Sequence, residues 1–162
     1  MKKIITLLLI PALLTVISAS PMPDYKGIAL GEKKAEVIAK IKNSFPDYSY
    51  RVIKKSGNQG SYISIEIPFS SMAAGDRTLE FHFELNGILE KISIPLYITP
   101  DEYKKLVEHI SRKYNAPCIT KYSAVNFWEL PDAKISLTKQ SFNRLDRLTY
   151  YLIKKPANIS DF

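Results

Sequence analysis

Leu79-Glu80-Phe81-His82-Phe83-Glu84-Leu85-Asn86-Gly87-Ile88-Leu89-Glu90-Lys91-Ile92-Ser93-Ile94 is the stretch on which the fold turns. Leu79, Phe81, Phe83 and Leu85 alternate with Glu80, His82 and Glu84, the period of two that puts apolar side chains on one face of a strand and polar ones on the other. Asn86-Gly87 follows at once, and this dipeptide between alternating runs predicts a two-residue type I′ hairpin because both central residues then need positive φ. In that register Leu85 faces Ile88, Phe81 faces Ile92 and Leu79 faces Ile94. It also sets Glu90 opposite Phe83 on the apolar face. Either a bulge turns Glu90 outward, or Glu90 is a rim or buried carboxylate.

The same alternation extends the sheet on both sides. Tyr48 to Lys55 and Ser61 to Phe69 read as two strands around the turn-rich Ser56-Gly57-Asn58-Gln59-Gly60, with Ile63, Ile65, Ile67 and Phe69 on one face. A loop is expected over Ser70 to Asp76. Further short runs follow at Cys118 to Tyr122, Val125 to Leu130, Lys134 to Ser141 and Arg147 to Ile153, separated by turns at Pro131-Asp132-Ala133 and Phe142 to Asp146.

Two helices interrupt these strands. Val37, Ile38, Ile41 and Phe45 recur at helical spacing from about Glu32 to Ser44, and Pro46 forbids continuation. The second is announced by Thr99-Pro100-Asp101-Glu102: Thr99 caps, Pro100 fits the first helical position, and Glu102 reaches back to the cap amide. Tyr103, Leu106, Val107, Ile110 and Tyr114 mark its apolar face, with Leu106 and Ile110 expected on the sheet, and Asn115 with Pro117 ends it. Val37-Ile38, Ile41 and Phe45-Pro46 align with Leu106-Val107, Ile110 and Tyr114 to Pro117 at a spacing of 69 residues. The expected class is α+β: an antiparallel sheet of about seven strands with two helices packed on one face, open to division into two related helix-plus-hairpins halves.

The chain's 162 residues, 46% hydrophobic and 24% charged, suffice for one domain with a real core. Residues 1–19 read as a signal peptide: Lys2 and Lys3, an apolar stretch from Ile4 to Ile17, then small residues, with cleavage expected after Ser18 or Ala19. Pro11 interrupts that stretch, which is shorter than the ~20 apolar residues of a bilayer-spanning helix, so no stable membrane span is expected after cleavage. Residues 20–30 are expected to be an extended lead-in, its Pro-rich part over 20–26 poorly held, 31–155 the domain, and 156–162 a C-terminal tail. Cys118 is the only cysteine, so no intramolecular disulfide can form and the core must stabilise the fold alone. A short Lys-headed leader without a disulfide framework points to a periplasmic or secreted protein.

The formal charge is +7, and loss of the two leader lysines leaves +5. In an exported protein such a charge aids solubility and meets anionic envelope polymers, so no nucleic acid is expected as partner. Cys118, His109 and Asp101 are poorly spaced for a thiol enzyme. His82 sits among Glu80, Glu84 and Lys91 as a cross-strand cluster rather than a metal site, and neither metal nor cofactor is expected. The unusual feature is aromatic: ten Tyr, seven Phe and one Trp. Tyr48, Tyr50, Tyr62, Tyr122, Tyr150 and Tyr151 fall at mixed strand parity, and Trp128 follows Phe127, so some face outward, where they suit recognition.

Gly27-Ile28-Ala29-Leu30-Gly31-Glu32-Lys33-Lys34-Ala35-Glu36-Val37 resembles the G-x-x-x-G-x-[ST]-x-x-E-V opening of the first helix in small envelope proteins of the BamE-like and β-lactamase-inhibitor-like group. Lys33-Lys34 stands where that pattern shows a hydroxyl residue. Arg112-Lys113-Tyr114-Asn115-Ala116-Pro117 resembles the K-Y-G-x-P that closes helices in small periplasmic proteins. The resemblance implies a non-enzymatic α+β binding or assembly module, and the lack of a lipidated Cys departs from the BamE-like members. The expectation is an exported, inhibitor-like binding module that presents Tyr50, Tyr62, Trp128, Lys54 and Lys55 to an envelope protein or cell-wall component. The second reading is a small periplasmic or cell-wall hydrolase using Glu80, Glu84 or Cys118.

Overall fold

The computed structural model describes residues 21–55, 60–66, 78–96, 98–121, 125–140 and 145–153. The leader, the 56–59 turn, the Ser70 to Asp76 loop, Ile67, Phe69, Tyr122 and the 156–162 tail lie outside these residues. The fold is α+β, with elements in the order β1 (Asp24–Tyr25), β2 (Ile28–Ala29), α1 (Lys34–Ser44), β3 (Tyr50–Lys54), β4 (Ser61–Glu66), β5 (Thr78–Phe83), β6 (Leu89–Leu96), α2 (Pro100–Tyr114), β7 (Ile119–Lys121), β8 (Val125–Glu129), β9 (Ala133–Gln140) and β10 (Leu145–Leu152). β1 and β2 form a small ladder, and the other eight strands form one antiparallel sheet in the order β3-β4-β5-β6-β10-β9-β8-β7, against the seven or so expected. Each helix is followed by a four-strand meander, and the last strand of each meander, β6 or β10, pairs with the other.

Cross-strand neighbours share a face, so register decides the core. Val52, Ile63, Phe81, Ile92, Tyr150, Ile135 and Trp128 oppose one another in turn across seven strands. All but the edge residue Val52 are buried, and they share one core with Val37 and Ile41 of α1 and Ile110 and Tyr114 of α2. Ile41 and Phe45 correspond to Ile110 and Tyr114 at the 69-residue spacing, and all four are buried. Leu106 packs against this core as expected but is only half-buried, so Ile110 and Tyr114 are the fully inserted side chains of α2.

The α2 cap forms as expected. The Thr99 N–H donates to Glu102 Oε2 at 2.7 Å, and the Glu102 N–H donates back to Thr99 Oγ1 at 3.3 Å. Asn115 ends the helix in the left-handed region at φ 49°, and the Ala116 N–H returns to the Ser111 carbonyl. Two acceptor bonds to the Thr99 amide and hydroxyl hold the Glu102 carboxyl below its ordinary range.

The β5–β6 hairpin keeps the expected pairing of Phe81 with Ile92 but departs from it near the turn. The Gly87 N–H donates to the Glu84 carbonyl and the Glu84 N–H to that of Ile88, so the loop has three residues with Gly87 at φ +79°. Leu85 is then a loop residue and 72% exposed, not a core partner of Ile88. A register shift at His82/Phe83 places Phe83 opposite Leu89 and His82 opposite Lys91, leaving Glu90 as the bulged residue. The fully buried Leu89 takes the inward position. Glu90 turns to Lys55, 3.1 Å away.

The lead-in is not loose. Lys26 and Gly27, at φ 51° and 75°, make the β1–β2 turn, so the doubly positive turn expected at Asn86-Gly87 occurs here instead. Ile28 and Leu30 are buried in the core, Tyr25 stacks on Phe45, and Asp24 ion-pairs with Lys113 at the end of α2 at 3.0 Å. Residues 31–34 then run beside 87–89, with the Gly31 N–H donating to the Leu89 carbonyl, the Leu89 N–H to that of Glu32 and the Lys34 N–H to that of Gly87. No helix among the described residues is long and apolar enough to cross a membrane.

Candidate binding face

The strand positions that alternate with the core row build the opposite face. One row runs Arg51, Ser64, Glu80, Ser93, Thr149, Ser136, Phe127 and Ile119, and the next runs Ile53, Tyr62, His82, Lys91, Tyr151, Lys134 and Glu129. Ser93 and Thr149 are small and buried at mid-sheet, a floor between longer side chains from the flanking positions.

Over this floor four strands bring their polar groups together. The Tyr62 ring of β4 stacks on His82 of β5, with centroids 5.2 Å apart and planes 20° apart. His82 Nε2 lies 2.9 Å from Glu80 Oε2 on the same strand. Arg147 of β10 donates from Nη1 to Ser93 Oγ of β6 at 2.9 Å, and the same nitrogen is 4.0 Å from Glu80 Oε2. The hydrogen bond from His82, with the nearby positive charges of Arg147 and Lys91, outweighs burial and holds the Glu80 carboxyl below its ordinary range. Outside the cluster, Lys91 lies over the Tyr151 ring and Lys134 over Phe127, while Arg51 pairs with Glu66. The face is laced by cross-strand pairs of both signs.

A lowered folded-state carboxyl means stability that is present above the unfolded carboxylate range and lost as pH falls through the folded value. Glu80→Gln should therefore lower the denaturant midpoint at pH 7, and the gap to the unmodified chain should close on acidification below about pH 4. Midpoints measured from pH 3 to 7 check this; a gap constant across that range would mean that Glu80 is not held by its neighbours as described.

The expected site residues do not form one patch. Tyr62 and Lys55 lie on the cluster's face, Lys55 paired with Glu90. Tyr50 opposes Ile65 and packs against the core, and Lys54 opposes Ser61 on that same side, exposed at the edge. Trp128 is fully buried opposite Ile135, its Nε1 donating to Ser111 Oγ of α2 at 2.8 Å, so it cannot be presented to a partner. Sequence reasoning placed His82 among Glu80 and Lys91 but missed Arg147 and Ser93, which are 54 residues apart and meet only through the β6–β10 register.

His109 is exposed on α2, and burial pushes the Cys118 thiol up, away from the thiolate a nucleophile needs. Among the described residues no group of three His, Cys, Asp or Glu could hold a metal ion. No protein-family model, no curated protein and no solved structure matches this chain.

Proposed function

We propose that this protein is an exported, non-enzymatic binding module, inhibitor-like in design, whose two helices cover one face of the sheet and whose other face meets a protein of the bacterial envelope. The observation that carries this reading is the Tyr62–His82–Glu80–Arg147–Ser93 cluster, pre-ordered by stacking and hydrogen bonds on four adjacent strands. A preorganised aromatic and guanidinium group loses little conformational freedom on binding, and Tyr and Arg are the side chains that most often dominate interface energy. Glu80 held ionised and a thiol pushed up are each poorly tuned for general-acid or nucleophilic work. The mirrored strand order about β6–β10, with buried Ile41 and Phe45 repeated as Ile110 and Tyr114, supports a tandem of two related halves. The Lys-headed apolar leader supports export.

The test is affinity capture from a bacterial envelope extract by three immobilised chains: unmodified, Tyr62→Ala/Arg147→Ala, and Lys42→Ala on the exposed side of α1 as control. The double variant should weaken capture of a specific protein at least ~10-fold, with the control unaffected. Equal capture by all three chains would refute the face assignment. Failure of the folded, unmodified chain to retain any envelope protein would refute the binding reading.

A further inference from the structure

We propose that β3 is a self-complementary edge through which two copies of this chain join into one continuous sheet. β3 is the last strand on its side, and among the described residues nothing pairs with its outer edge. The Lys55 N–H donates to the Gly60 carbonyl at 3.0 Å, and antiparallel ladders alternate bonded with non-bonded pairs. Counting back along the β3–β4 register, Arg51 and Ile53 spend their backbone groups on β4. Tyr50, Val52 and Lys54 therefore point their N–H and C=O groups outward, and Val52 is a 49% exposed apolar side chain in the middle of that edge. The strand has neither the proline nor the bulge with which exposed edges are commonly blunted.

A two-fold axis at Val52 satisfies all of these groups at once. Val52 then opposes its own copy, Tyr50 opposes Lys54 of the other copy and Lys54 opposes its Tyr50, every pair being of the bonding kind. On the other face Arg51 opposes Ile53, so no like charges meet. The two adjacent registers that keep the outward groups paired do worse: one sets Arg51 against Arg51, the other Arg51 against Lys55. Charge thus selects a single register, in which Lys54 gains an aromatic neighbour and Val52 is covered. The occupant of this edge is a second copy of the chain, independently of what binds the cluster face.

Sedimentation of the purified chain should show a reversible monomer–dimer equilibrium. Val52→Pro removes an outward N–H and no bond to β4, so that variant should fold, as circular dichroism would verify, yet remain monomeric. Val52→Asp, which opposes two carboxylates, should also be monomeric and serves if the proline variant does not fold. In a Cys118→Ser background, mild oxidation should cross-link Val52→Cys, whose Cα atoms would stand about 5.5 Å apart. Lys54→Cys, which faces Tyr50, should not cross-link. A chain that stays monomeric at the highest attainable concentration, association untouched in both position-52 variants, or equal cross-linking at positions 52 and 54 would each overturn the proposal; the first would leave the edge to a strand from another protein.

Discussion

Trp128→Ala should lower the stability of the folded chain by about 3–5 kcal/mol, the range for removing a large aromatic from a closed core. The ring is fully buried at the end of the row that crosses the sheet from Ile63, and its indole N–H is spent on Ser111 of α2. Truncation leaves a cavity between β8 and α2 and removes the indole donor from the Ser111 hydroxyl. A tryptophan on an exposed face would behave differently, since surface substitutions usually change stability by no more than about 0.5 kcal/mol. Denaturant midpoints separate the two cases. Trp128 is also the only tryptophan, so the fluorescence of the unmodified chain reports on this site alone. Emission should be blue-shifted in the folded state and move to the red on unfolding; red-shifted emission from the native chain would contradict the burial.

Gly60→Ala should be comparably severe for a different reason. Gly60 sits at φ +88°, and a Cβ built there would lie 2.1 Å from the Phe83 carbonyl oxygen and 2.9 Å from the Glu84 carbonyl carbon. Both are backbone atoms at the point where β4 meets the hairpin end of β5, so relief requires the β4–β5 pairing to shift. Gly87 offers an internal comparison, because at φ +79° it is equally left-handed but its nearest neighbour is a side-chain atom 4.0 Å away. Gly87→Ala should cost about 1–2 kcal/mol from backbone strain alone. Gly60→Ala should cost at least about 2 kcal/mol more, toward the upper end of single-site effects. Equal midpoints for the two variants would show that the close approach at Gly60 is not present in solution.

These two positions also show what the sequence discloses and where it stops. Alternation in Leu79–Phe83 and the capping signals around Thr99 depend on neighbours in the chain, and both elements appear where they were expected. Trp128 and Phe127 are adjacent and both apolar, so hydropathy alone does not say which one enters the core. The pairing of Trp128 with Ile135 decides it, and that is a property of β9. The bulge at Glu90 likewise follows from a three-residue loop, which Asn86-Gly87 permits as readily as the two-residue one. The turn at Lys26-Gly27 carries little signal, because lysine is uncommon at positive φ and is held there by its surroundings. In the candidate site, Glu80 and His82 could be grouped from one strand, whereas Tyr62, Ser93 and Arg147 join them only through three separate registers.

The β1–β2 hairpin has a kinetic consequence. Residues 24–34 are made before almost everything they contact: Lys113 follows its ion-pair partner Asp24 by 89 residues, and the backbone partners of Gly31 and Lys34 are Leu89 and Gly87. The segment cannot finish docking until the chain through Lys113 has been made, so residues near the start of the described chain are among the last to settle. Until then Ile28 and Leu30 are exposed beside the incomplete sheet. Their docking ties the C-terminal end of α1, β6 and the end of α2 together, so protease sensitivity of this segment during refolding should persist until the rest of the domain has formed.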